Sequence, residues 1–357
     1  MPQTALITGA TGGIGYATAK LFLERVDLFD LVIITGRSQA KADAAVASLR
    51  AETKCAPERL TSIVLELPCP DLDAVTTDLR RVLGDRKLDV LVNNAGAAAT
   101  APSSMMGVDA TFAQNHLGVM ALTLHLLPEM ADDGRARIVT VASSLHTRVP
   151  DSLCPALSFS SHLPVPHLIF PPCLALPDPV EASKQPKSAA GPHYDGLHTY
   201  SVSKLYNVWF ARQLARLLTG TDRVASPTLQ AHLARLQPTA TSVYLCPGFI
   251  PTTGLARQSG FLRSILMHYV LPWFPFTTTV EDGAARILFA ATATADGGGS
   301  LSGHMVQGKP PAVVDEVRGV PAHAKNVAKA RECWNKSCEV LGRPEWKVVV
   351  AEEKVEK

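Results

Sequence analysis

Short runs of apolar, often β-branched residues alternate along the chain with segments whose apolar positions recur every three or four residues. Ala5 to Thr8, Leu31 to Thr35, Ser62 to Leu67, Leu88 to Asn93, Ile138 to Ser143 and Ser242 to Leu245 read as strands, with Ser302 to Val306 as a seventh. Between them Gly15 to Arg25, Leu72 to Leu83, Asp109 to Glu129 and Thr199 to Leu218 read as helices. This alternation marks βαβ units. It predicts an α/β fold with one doubly wound parallel sheet of about seven strands and helices on both faces. One stretch breaks the rhythm: Val149 to Pro192 is proline-rich and aperiodic, with an apolar run from Leu163 to Phe170. It leaves the fifth strand and returns at the Thr199 helix, as either a lid over a substrate or a variable surface loop. From Ala322 the pattern is one amphipathic helix and then a charged tail that frays. The chain thus divides into a domain over 1–320, with the insertion at 149–192, and an appendage over 321–357.

Composition narrows the class. The 357 residues are 46% hydrophobic, ample for one sizeable core. A net charge of +2, from 34 basic and 32 acidic residues, argues against a nucleic-acid partner. Seven cysteines without regular spacing fit a reducing, cytoplasmic setting better than a disulfide framework. Cys333 and Cys338 have no second Cys/His pair nearby, so they read as packing residues and no metal is expected. The first strand begins too early to leave room for a cleavable signal or an N-terminal anchor. The longest apolar stretch, Phe261 to Phe276, is interrupted by Arg263, His268, Pro272 and Pro275. It falls short of the about 18 residues a membrane span needs. Peripheral docking on a membrane, through this stretch and Leu163 to Phe170, remains compatible.

Thr8-Gly9-Ala10-Thr11-Gly12-Gly13-Ile14-Gly15 follows the first strand and opens the first helix. That context makes Gly9, Thr11, Gly13, Ile14 and Gly15 a dinucleotide turn of Rossmann type, since glycines allow close backbone approach and the helix N-terminus favours a pyrophosphate. The second strand ends Thr35-Gly36-Arg37-Ser38 without a carboxylate. Arg37 is placed to grip a 2′-phosphate, which selects NADP(H) over NAD. Asn93, in Asn93-Asn94-Ala95-Gly96, either meets the adenosine ribose or bonds neighbouring backbone. At the end of the sixth strand stands Pro247-Gly248-Phe249-Ile250-Pro251-Thr252. It is either a plain turn or the place where Pro247, Ile250 and Thr252 meet the nicotinamide carboxamide.

Tyr200 and Lys204 lie four apart and share one helix face. A lysine ammonium close to a phenol lowers its pKa from about 10, which would make Tyr200 a general acid for an oxygen that has just received a hydride.

With the glycine turn, Asn93-Asn94-Ala95-Gly96, Ser143-Ser144 and Tyr200-x-x-x-Lys204 in order, the chain resembles the short-chain dehydrogenase/reductase family over about residues 3 to 310. The resemblance implies that Ser144 binds the substrate carbonyl and Tyr200 is the acid or base. It also implies that Lys204 holds the nicotinamide ribose, Asn115 holds the water of a proton relay, and Glu66 lies near the adenine. Tyr200 to Asn207 and Pro247 to Leu255 resemble the branch of retinol dehydrogenases and light-dependent protochlorophyllide reductases. Phe249 stands where the pigment reductases carry cysteine, and the Asn93-Asn94 pair also departs from them, so dark carbonyl reduction is the expectation. The expected enzyme is an NADPH-dependent reductase of a ketone or aldehyde on a largely apolar small molecule. Its alternatives are a lapsed NADP-binding regulatory protein and a peripheral-membrane dehydrogenase of a lipid- or retinoid-like alcohol. Helices Asp109 to Glu129 and Thr199 to Leu218 form the usual homodimer face in this family.

Overall fold

In chain order the strands are β1 (Gln3–Ile7), β2 (Phe29–Gly36), β3 (Leu60–Val64), β4 (Val90–Asn93), β5 (Ser104–Met105) and β6 (Val108–Asp109). They continue with β7 (Arg137–Val141), β8 (Arg223–Val224), β9 (Thr241–Leu245), β10 (Met305–Gln307), β11 (Ala312–Val313) and β12 (Val348–Val349). Eight of them form one sheet in the order β11-β10-β9-β7-β4-β1-β2-β3. Every pairing in it is parallel except that of β10 with β11. This computed structural model describes residues 2–99, 101–149, 196–237, 239–250, 277–293, 301–316 and 319–349.

The central strands are buried along nearly their whole length because both faces are covered. On one face β1 and β2 present Ile7, Val32 and Ile34 to helices α1 (Gly13–Glu24), α2 (Gln39–Thr53) and Val280–Thr292. On the other, Leu6, Ile33, Leu91 and Ile138 pack with α3 (Leu72–Leu83) and with helices Gly118–Leu126 and Gly196–Leu218. The order reverses between β1 and β4, and ligands of such sheets bind outside the carboxyl ends of the strands at that reversal. The glycine turn, Arg37, the Asn94 loop, Ser143 and the Pro247 turn all follow the carboxyl ends of parallel strands.

Several expectations needed correction. The third strand begins two residues earlier than expected and ends at Val64. An eighth strand, β11, too short to carry a pattern, closes the sheet edge. The helix expected over Asp109 to Glu129 is interrupted by a π turn, Ala113–Leu117, with Ala110–Phe112 before it and Gly118–Leu126 after it. The C-terminal segment holds two helices where one was expected, and the charged tail from 350 lies outside the described residues. Asn326 separates Ala322–Lys325 from Val327–Val340 and caps the latter by accepting from the Lys329 amide at 3.0 Å. β12 then pairs with β8.

Helix Val327–Val340 lies on helix Gly196–Leu218. Trp334 stacks on Phe210 with centroids 5.6 Å apart, and Ser337 Oγ meets His116 Nε2 at 2.8 Å. Asp222 accepts from both Arg216 and Arg331, tying the two helices by charge. The chain's own C-terminal helix therefore covers part of the face expected to form a homodimer. Among the described residues no helix is long and apolar enough to cross a membrane, and no group of acids, histidines and cysteines is placed to hold a metal. The insertion over 150–192, the apolar stretch over 261–276 and Thr252 lie outside the described residues.

Candidate active site

The glycine turn is shaped by close approach. Gly9 has φ +65°, and a Cβ there would sit 2.9 Å from Ala95 Cα. A Cβ on Gly15 would meet Asn94 Nδ2 at 2.5 Å and Gly9 O at 2.7 Å, so α1 packs against the loops after β1 and β4 only with glycine at this position. Gly13, at φ +57°, faces open space, as does Gly12. The turn is braced from β4: Asn94 Nδ2 donates to Thr8 O at 2.9 Å, and Thr8 Oγ1 accepts from the Asn94 and Ala95 amides at 3.0 Å. Asn93, by contrast, is buried and donates to Thr123 Oγ1 at 2.8 Å, tying β4 to helix Gly118–Leu126. Of the two readings of Asn93, the geometry favours the structural one. Arg37 and Glu66 are exposed beyond the ends of β2 and β3. Thr11 is half-buried, its methyl against Gly36. Gly283 lets helix Val280–Thr292 approach Ile14 and Ile250: its Cβ would lie 3.1 Å from Ile250 Cδ1 and 3.3 Å from Ile14 Cγ2. Pro247 is buried beside them in sequence, at the end of β9.

Tyr200 lies in the second turn of helix Gly196–Leu218 and is 6% exposed. The Ser143 side chain lies close enough to its phenol to lower the phenol's pKa. Ser144 is exposed, and its carbonyl accepts from Thr147 Oγ1 at 2.8 Å. The structure thus brings Ser143, not the expected Ser144, to the tyrosine. The physical cause is local: Ser143 is still extended, at φ −156°, and caps the 3-10 turn Ser144–Arg148 by accepting from the Leu145 amide at 3.3 Å. The next residue has already entered the turn. A serine that ends a strand and caps a turn was a readable signal, but two adjacent serines made it ambiguous.

Lys204 Nζ lies 5.6 Å from the Tyr200 ring centroid and donates to Val141 O at 2.9 Å. Room for it comes from Gly96, whose Cβ would be 3.2 Å from Nζ. The electrostatics differ from the expectation. Burial pushes the Tyr200 phenol well above its ordinary value, and the Ser143 hydroxyl only partly opposes this. Burial likewise draws Lys204 down to about 8. Burial is the largest influence on Tyr200 and favours the protonated phenol at neutral pH.

Asn115 sits in the π turn and is fully buried. Its side chain exchanges two bonds with the Ala97 backbone at 2.8 Å and donates to Ser203 Oγ at 3.0 Å. Ser203 in turn donates to Tyr200 O at 2.7 Å. Both Asn115 amide hydrogens are therefore used in bracing the Tyr200 turn against the Gly96 loop. Two further groups, Cys246 and His146, are buried beside this cluster, and the sequence offered only the proximity of Cys246 to Pro247 as a hint.

Comparison with known proteins agrees with this architecture. The family model for short chain dehydrogenases matches residues 3–155. Human retinol dehydrogenase 14 is 30% identical over 307 residues, covering 83% of this chain and 76% of that protein. Mouse retinol dehydrogenase 12 is 27% identical over 343 residues, covering 95% and 86%. A short chain dehydrogenase structure from Pseudomonas syringae shares the fold with TM-score 0.52 at 17% identity, over 85% of this chain and 93% of that one. The chain is an oxidoreductase belonging to the short-chain dehydrogenase/reductase family, on its retinol dehydrogenase branch.

Proposed function

We propose that the protein uses NADP(H) to interconvert a carbonyl and an alcohol on a largely apolar small molecule, working toward the alcohol. The observation that carries this reading is buried Tyr200 beside half-buried Ser143, with Lys204 one turn further along the same helix. The residues present fit a dinucleotide. Gly13 leaves open space above a helix N-terminus, and Val141 O takes one of the three Lys204 donors, leaving two for ribose hydroxyls. Gly9, Thr11, Gly13, Ile14 and Gly15 would hold the pyrophosphate, Arg37 the 2′-phosphate and Glu66 the adenine side. Pro247, Ile250 and Thr252 would face the nicotinamide. When bound, the nicotinamide supplies the hydride.

The chain's own groups handle the oxygen and its proton. Ser143 donates its hydroxyl to the substrate oxygen, a bond that strengthens as negative charge develops there. Tyr200, held protonated by burial, gives its phenolic proton to that oxygen. Asn115, through Ser203, keeps the Tyr200 turn in place while this happens. The apolar substrate class is supported by the names of the retinol dehydrogenase relatives. Those names also favour the reverse, alcohol-oxidising direction as the second reading. Fluorescence titration with NADPH and NADH tests the cofactor assignment. Wild type is expected to bind NADPH at least tenfold more tightly, and Arg37→Asp to abolish that preference. Equal binding of both cofactors by wild type would remove Arg37 from the site.

A further inference from the structure

We infer that His146 and His323 are positioning residues of this site: together they clamp the Ser143 turn against the Tyr200 helix, which makes the C-terminal segment part of the reaction machinery. The inference rests on the function proposed above. Ser143 O accepts twice from His146, from its amide at 3.1 Å and from Nδ1 at 2.5 Å. A carbonyl oxygen can only accept, so Nδ1 carries the imidazole proton and Nε2 is left bare. Nε2 is buried and has no partner among the described residues. His146 is 1% exposed, a place where an apolar ring would pack without stranding a nitrogen, so what the imidazole contributes is its Nδ1–H.

The contacts continue into the C-terminal segment and return. His146 O meets His323 Nε2 at 3.3 Å, and for the same reason that nitrogen is the donor. His323 O accepts from Trp209 Nε1 at 3.0 Å. Trp209 and Tyr200 belong to one helix. The ring therefore runs from Tyr200 to Ser143, His146, His323 and Trp209, then back along the helix to Tyr200. Loosening either histidine frees the Ser143 turn while leaving the glycine turn and its braces intact.

The test uses the full chain labelled with ¹⁵N-histidine, followed from about pH 8 to about pH 5. One imidazole, absent in His146→Asn, should stay neutral with its proton on Nδ1 and should shift in His323→Leu. Protonation of His146 near the ordinary value of about 6.5, or the opposite tautomer, would overturn the inference whether or not any substrate is turned over. With a carbonyl substrate and NADPH, His146→Leu and His323→Leu should each lower kcat about tenfold or more, with NADPH affinity within about twofold of wild type. His146→Asn and His323→Gln, which keep a donor, should recover most of the loss. Full kcat in the leucine variants, no recovery in the conservative ones, or a parallel loss of NADPH affinity would each refute the clamp. A wild type that turns over no carbonyl would count against the proposed function alone, because the tautomer and its response to His323→Leu are read without turnover.

Discussion

Replacing Lys204 by methionine should make the protein more stable at neutral pH while removing its activity. The lysine is 3% exposed, and burial has drawn its pKa from 10.5 to about 8. At about 1.4 kcal/mol per unit, keeping the charged form in the folded state costs about 3 kcal/mol below pH 8. Methionine keeps much of the volume, and it gives up one hydrogen bond, to Val141 O, worth about 1 kcal/mol. The net gain at pH 7 is then about 2 kcal/mol, a rise of several degrees in unfolding midpoint. The sign with pH is definite. Between the folded value near 8 and the unfolded value of 10.5, the unfolded chain binds more protons at this site. Wild-type stability therefore gains from Lys204 as pH rises through that window, and the variant lacks the gain. Thermal unfolding of both proteins at pH 7 and pH 9.5, read as the difference between them, isolates this residue from every other titrating group. A variant that is less stable at pH 7, or a difference that does not shrink by pH 9.5, would refute the reasoning.

Two further predictions concern the same site. Ser143→Ala should cost about 10²-fold in turnover and Ser144→Ala less than about threefold; the reverse ranking, in steady-state kinetics of both variants, would return the role to Ser144. Because burial raises the Tyr200 pKa, the proton-giving phenol persists through neutral pH. Carbonyl reduction should therefore be flat across neutrality and fall only in alkali, while alcohol oxidation, which needs the phenolate, should rise steadily with pH. Oxidation that peaks at or below pH 7 would contradict the assignment.

Much of the glycine turn's shape was legible from residues alone, because glycine spacing after a strand has few physical explanations. Gly9 and Gly15 are confined by contacts of 2.9 and 2.5 Å that no other residue allows, and such constraints surface as sequence motifs. The pairing of Tyr200 with Lys204 was equally readable, since helical spacing determines it. The environment of that pair was not. Whether a lysine's charge or the removal of water governs a phenol depends on how many layers cover it, and those layers come from distant parts of the chain. Ser143 and Ser144 differ by one residue across a strand end, a boundary that local pattern does not resolve. The π turn around Asn115 and the docking of Trp334 on Phe210 depend on tertiary partners with no periodic signature. His146 and His323 are 177 residues apart, and only the fold brings them together.

The most direct test of the account is NADPH consumption, followed by absorbance with a panel of apolar aldehydes and ketones, for wild type and Tyr200→Phe. The account predicts turnover by wild type on at least one member of the panel. Tyr200→Phe should bind NADPH with unchanged affinity and turn over at least about 10²-fold more slowly. A Tyr200→Phe variant that consumes NADPH at the wild-type rate would contradict it.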